Sequence, residues 1–321
     1  MSVCQTVQMI YQGIKLRRVT GSLGAEVSGV NLGALDDATF GEIHQALLEN
    51  EVIFFRDSGL DDEAQMAFAH RFGQPSVFPL LKLMGATGPT FQVIEDGPDS
   101  PNEADYWHTD VTWTTEPPKV ALLRAGVVPE VGGDTMWGSM TTAYEALSST
   151  MQELLAGLEV VHDNESFIEA ASRKMGDSEE ARKLLDELRE KYPPVTHPLV
   201  RTHPETGRRA LLWGGDFMRR IDGMTDDEST AMLAFLRRHI EQSRFHCRWS
   251  WQSGDLAIWD ERSTVHRVVN DHFPQRRSVH RCVVDGDRPF FDPARRVASI
   301  GHSAAAVRNR AGMPGLPGMR G

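Results

Sequence analysis

Residues 259–282 read "WDERSTVHRVVNDHFPQRRSVHRC", and the spacings inside them govern how the rest of the chain is interpreted. His266 follows a strand-and-turn pattern, Arg277 comes eleven residues later, and Arg281 four beyond that. Residues an even number apart in a strand share a face. If "RSVHRCVV" (277–284) is a strand, Arg277, Val279 and Arg281 line one side of it. A guanidinium is a planar fork that holds carboxylates and other oxyanions in bidentate fashion.

A second informative stretch is "YWHTDVTW" (106–113). Aromatic and β-branched residues favour strands, so His108 and Asp110 are expected to project together from one strand face. An imidazole beside a carboxylate can be a metal corner, an acid/base pair or an ordinary buried hydrogen bond. Two histidines and one carboxylate also make the facial triad of non-haem Fe(II) oxygenases, with three coordination positions left open. His108, Asp110 and His266 fit that donor set.

Composition bounds the alternatives. The chain has 321 residues, 40% hydrophobic and 25% charged, enough for a full core. Its net charge of -11 makes nucleic acid and anionic membrane poor partners. Cys4, Cys247 and Cys282 form no CxxC pair, which argues against disulfides and structural zinc and fits a reducing cytoplasm. Neither a signal peptide nor a run of membrane-spanning length is legible. The GxSxG elbow, the P-loop and the GxGxxG fingerprint are missing. His162, and His197 and His203 in "HPLVRTHPETG", read as structural.

Along the chain, "DDATFGEIHQALLENEVIFF" predicts a helix entered at Asp36 and Asp37, then a buried strand at 52–55. "DDEAQMAFAHRFG" predicts a helix ending at Gly73. "KVALLRAGVV" (119–128), "FHCRWSW" (245–251) and "LAIW" (256–259) predict strands, the second with Phe245, Cys247, Trp249 and Trp251 on one face. Thr225 and Glu228 make a capping box for a late helix. Residues 169–194 are strongly charged and read either as a solvated surface helix or as a lid over a site. Residues 293–321 carry five arginines, no acid and many Gly and Pro, and read as a disordered tail. The expected organisation is an N-terminal extension (1–14), one domain (15–292) and the tail.

"WHTDVTW", "GGDTMWGSMTTAYEALS", "HPLVRTHPETG", "LAIWDERSTVH" and "PQRRSVHR" occur in one order across roughly residues 15 to 288. Together they resemble the taurine dioxygenase / 2,4-D dioxygenase family of Fe(II)- and 2-oxoglutarate-dependent enzymes, and its alkylsulfatase-type members in particular. The resemblance implies a mainly β fold, a double-stranded β-helix (jelly-roll) core with flanking α-helices. It implies that His108, Asp110 and His266 bind Fe(II), and that Thr135 and Arg277 hold the distal carboxylate of 2-oxoglutarate. Arg281 matches an arginine that contacts the substrate's anionic head, and Phe217 a pocket aromatic. The implied cosubstrates are 2-oxoglutarate and O2. The implied partners are a small organic anion and further copies of the chain.

The departures from the family bear on substrate. Where the family often reads WDN, this chain has "WDE"; the position lies in a turn and is given little weight. In "SVFPLLK", Phe78 stands for a substrate-contacting histidine and Leu81 for a tyrosine, and Ala104 replaces an asparagine. With Phe217 and Val111, these make an expected pocket too apolar for a zwitterion such as taurine, whose ammonium would be left unpaired. The expected substrate is an alkyl sulfate ester or sulfonate; the alternative is an aryloxyalkanoate or another apolar carboxylate. A non-catalytic 2-oxoglutarate sensor would keep the same ligands but form no succinate.

Overall fold

In the computed structural model, residues 11–89, 91–97 and 104–295 are described. Residues 1–10 of the expected extension and 296–321 of the expected tail lie outside them. Two sheets face each other across a shared core. The larger has seven strands, in the order Lys15–Arg18, Ala25–Ser28, Val52–Phe55, Leu256–Asp260, Val120–Val127, Arg277–Val284 and Gln92–Asp96. Neighbours run antiparallel except Ala25–Ser28 beside Val52–Phe55. A three-stranded sheet of His246–Trp249, Thr135–Ser139 and Thr264–Val268 lies opposite.

The continuous apolar runs follow from burial on both faces of the larger sheet. Successive strand residues point to opposite faces. Phe54, Leu123 and Trp259 therefore meet Trp137 and Trp249 of the smaller sheet. Their neighbours Ile53, Leu122 and Ile258 meet the outer helices. Those helices, Asp37–Asn50 and Asp62–Phe72, are capped by the Asp36 and Asp61 side chains, which accept from Thr39 and Ala64 N–H. They bury Ile43, Leu47, Phe68 and Phe72. Each such side chain contributes about 1.5–3 kcal/mol. The Asp226–Ile240 helix carries the expected capping box and packs Leu236 and Ile240 with Val265 of the smaller sheet.

Three expectations need correction or refinement. Helix is 33% of the described residues and strand 26%, so the fold is mixed rather than mainly β. Helices cover the outer faces of both sheets and also fill the charged segment, whereas most strands are short. The strand expected at 245–251 spans His246–Trp249; Phe245 sits in a 3₁₀ turn and joins the outer cluster, away from Cys247, Trp249 and Trp251. The charged segment folds as two helices, Glu165–Met175 and Glu179–Lys191, joined by a two-pronged Arg189–Glu165 pair at 2.6 and 3.0 Å. Their inner faces bury Ile168, Ala171, Leu185 and Leu188. Among the described residues, no helix is long and apolar enough to cross a membrane.

Candidate active site

His108 and Asp110 do converge, though not through strand alternation. His108 makes a single antiparallel bridge to His266: its N–H donates to His266 O at 3.1 Å, and His266 N–H donates back at 2.9 Å. The chain then leaves the ladder. Val111 is left-handed, with φ 53°, and its carbonyl accepts from Thr114 N–H. A β-branched residue rarely adopts that conformation. Here the turn swings Asp110 inward, and its N–H is taken by the Glu261 side chain at 3.1 Å rather than by a strand neighbour.

The ligand atoms of His108, Asp110 and His266 lie within 4.8 Å of one another, and all three residues are buried. His108 Nε2 is 3.7 Å from Asp110 Oδ1, and His266 Nε2 is 3.9 Å from the same oxygen. His108 Nδ1 lies 2.8 Å from Tyr106 O. A carbonyl can only accept, so Nδ1 carries the proton and the Nε2 lone pair faces inward. Burial lowers both imidazole pKa values, His266 to about 3 with help from His108. Burial alone would raise the Asp110 carboxyl, but Arg281, His266 and His108 hold it below the usual carboxylate range. Two neutral imidazoles and one carboxylate at neutral pH are the donor set a divalent metal takes. The residues fit Fe(II).

Thr135 and Arg277, expected to act together, do meet. Thr135 pairs with Val268 and Trp137 with His266, so Thr135 shares a sheet face with His266. Two residues of strand rise put it about 7 Å away along the sheet. Arg277 Nη2 donates to Thr135 Oγ1 at 3.3 Å, Nη1 to Asp96 Oδ2 at 2.9 Å and Nε to Gly133 O at 2.9 Å. The paired glycines before Thr135 have a steric reason. Both have positive φ, and a Cβ on Gly133 would stand 2.9 Å from Pro129 and 3.1 Å from Arg277.

Arg281 pairs across the ladder with Gln92, whose Oε1 accepts from Nε at 2.9 Å and Nη2 at 2.6 Å. Its Nη1 donates to Asp110 Oδ2 at 2.7 Å, so the cation sits directly against the candidate metal ligand. Beside Asp110, Val111 opens an apolar wall with Trp113, Phe217, Ile168, Leu185 and Leu188. Phe78 packs at its edge and meets Phe167 at 5.5 Å. Leu80 and Leu83 of the Pro79–Leu83 helix reach this wall, and Leu81 is half-buried outside the cluster.

Two of the expected structural histidines hold the same loop, and the third lies elsewhere. His162 Nδ1 is 2.9 Å from Thr112 Oγ1, and His197 Nε2 is 2.9 Å from Thr112 O. His203 pairs with Asp260 at 2.9 Å. Sequence reading missed Asp96 and Gln92, since cross-strand partners need the register. It also underweighted Glu261. That side chain is buried and accepts from Trp259 Nε1 at 2.7 Å as well as from Asp110 N–H. Burial and then the Asp110 charge raise its pKa well above the ordinary value. The departure from WDN was the available signal.

Residues 15–283 match the family model described as "Taurine catabolism dioxygenase TauD, TfdA family". An alkylsulfatase of Acinetobacter baylyi is 37% identical over 283 residues, covering 88% of each protein. An alpha-ketoglutarate-dependent sulfate ester dioxygenase of Pseudomonas putida is 39% identical over 277 residues, covering 84% of this chain and 89% of that one. A crystal structure of a taurine dioxygenase from Burkholderia xenovorans superposes with TM-score 0.72 at 32% identity, over 89% of this chain and 95% of the other. Family model, relatives and site geometry agree: the chain belongs to the taurine catabolism dioxygenase TauD, TfdA family.

Proposed function

We propose that the protein is an Fe(II)- and 2-oxoglutarate-dependent dioxygenase that hydroxylates an alkyl sulfate ester at the carbon bearing the ester oxygen. One observation carries the substrate class: Arg281 lies against Asp110, and an apolar wall begins at the next residue, Val111. A cation beside the candidate metal and an apolar wall next to it suit an anionic head with an alkyl tail. The sulfate ester and alkylsulfatase relatives support the same reading. In this reading His108, Asp110 and His266 hold the iron, which when bound supplies the redox chemistry that activates dioxygen. Arg277 and Thr135 hold the distal carboxylate of 2-oxoglutarate. Phe78, Phe217 and the two charged helices, acting as a lid, keep water from the substrate tail. The two facing sheets are read as a double-stranded β-helix.

The chemistry balances. One oxygen atom of O2 enters 2-oxoglutarate, which leaves as succinate and CO2. The other enters the substrate C–H bond. The hydroxylated ester is a hemiacetal-like species that collapses to an aldehyde and sulfate. The test offers a medium-chain alkyl sulfate, taurine and an aryloxypropionate at equal concentration, with succinate, sulfate and aldehyde measured. The alkyl sulfate is expected to give all three products. Preference for taurine overturns the pocket argument. Preference for the aryloxy acid replaces the substrate class, and an absence of substrate-dependent succinate removes the enzyme reading.

A further inference from the structure

His266 presents Nε2 toward Asp110 and His108 and turns Nδ1 the other way. A metal on Nε2 needs the lone pair there, so the ring proton must sit on Nδ1. A buried N–H without an acceptor is costly, yet Nδ1 is buried with no hydrogen-bond partner among the described residues. His108 solves the same problem with Tyr106 O. Glu261 Oε1 stands 4.0 Å from His266 Nδ1. Its present donor is Trp259 Nε1, whose ring lies 5.0 Å from the His266 ring. A carboxyl oxygen that carries no proton can accept twice, and a shift of about 1 Å brings the pair to normal hydrogen-bond length.

We infer that Glu261 is the positioning residue of this metal centre, accepting from His266 Nδ1–H through one oxygen while its other oxygen holds the Asp110 main chain. The inference rests on the metal assignment of His108, Asp110 and His266. It goes beyond that assignment by giving one buried side chain control of two ligands that come from distant parts of the chain. The Asp110 N–H is held at 3.1 Å, which fixes the turn that carries the carboxylate. Closure on His266 would fix the second ligand's tautomer and ring plane. Metal-bound histidines commonly have such a carboxylate partner, and losing it typically weakens metal affinity 10–100-fold.

The experiment titrates metal-free protein with Co(II), reading dissociation constant and visible absorption bands, for wild type and Glu261→Gln. The substitution is isosteric and leaves one acceptor oxygen for the three N–H groups around it. The expected result is a Co(II) constant at least about tenfold weaker and shifted bands. A variant with wild-type constant and bands overturns the inference, even if its metal-free form melts earlier, because Glu261 would then only pack. A second measurement needs no variant. In the Zn(II)-loaded wild type, the His266 Nδ1 proton should be a downfield, slowly exchanging resonance. A rapidly exchanging proton there overturns the inference. A wild type that binds neither ion overturns the metal centre itself, a result distinct from failure at Glu261.

Discussion

Replacing Arg277 tests the proposed cosubstrate clamp. The guanidinium is buried and makes three contacts, to Asp96 and Gly133 O at 2.9 Å and to Thr135 Oγ1 at 3.3 Å. Alanine removes all three donors, and the buried Asp96 loses its ion pair with the guanidinium. Two losses follow and must be measured separately. Breaking a buried ion pair from one side destabilises a fold by about 3–5 kcal/mol, which a urea titration reads. Losing the fork costs 2-oxoglutarate about 2–5 kcal/mol, equivalent to about 30-fold to several thousand-fold in its constant. Arg277→Lys keeps a charge beside Asp96 but can replace only one of the contacts, so it should fold better and still weaken 2-oxoglutarate at least about tenfold. The assay is anaerobic calorimetric titration of 2-oxoglutarate into Fe(II)-loaded protein. Folded variants that keep the wild-type 2-oxoglutarate constant would refute the clamp and hand its role to another residue.

His108→Ala should abolish stoichiometric metal binding and succinate formation with little change in the metal-free fold; elemental analysis showing one metal per chain in the variant would remove the ligand assignment. Lengthening an alkyl sulfate should lower its Michaelis constant about fourfold per methylene, from about 0.8 kcal/mol per buried CH2, until the pocket fills; a flat series argues against the apolar wall. Phe54→Ala should cost about 3–5 kcal/mol by chemical denaturation, since Phe54 is fully buried, stacked on Trp249 at 4.1 Å and edge-on to Trp137 at 5.2 Å. Metal-free protein should lose stability as pH falls below about 6.5, the ordinary histidine value. His162 and His266 are both lowered to about 3, so they stay neutral in the fold while the unfolded chain takes up protons. Each contributes a loss of about 1.4 kcal/mol per pH unit. Glu51 and Glu261, raised by burial, act in the opposite direction but are outnumbered, because His108, His197, His203, His239 and His246 are lowered as well. Equal urea midpoints at pH 7 and pH 5 would contradict this sign.

Helix starts were readable because they depend on neighbours: Asp36, Asp61 and Thr225 cap the helices they precede. Buried strands were readable because both faces of the larger sheet are covered, which leaves unbroken runs such as "VIFF". The candidate ligands were readable through the family resemblance of their ordered motifs, since the His108–Asp110 pair alone left a metal corner, an acid/base pair and a plain hydrogen bond open. What escaped depends on contacts distant in sequence. Val111 takes a left-handed turn that no local preference of valine favours. Glu261 looked like an ordinary turn residue, and its burial follows from the 106–113 segment folding over it from about 150 positions away. Arg277 and Arg281 were placed correctly on one face, but their partners Asp96 and Gln92 sit on a strand whose register no local pattern reveals.

The main-chain bridge between His108 and His266 has a kinetic meaning. The two side chains that would grip the ion are attached to residues already tied to each other by a pair of backbone hydrogen bonds. Their separation is set before any ion arrives, although they are 158 positions apart in the chain (266 minus 108). Folding has already closed that long loop, so the ion is spared the loop-closure entropy. Capture then resembles filling a socket rather than cinching a chain. An ion can depart and be replaced without the protein losing its shape, and affinity is free to be set by the donors and the groups behind them.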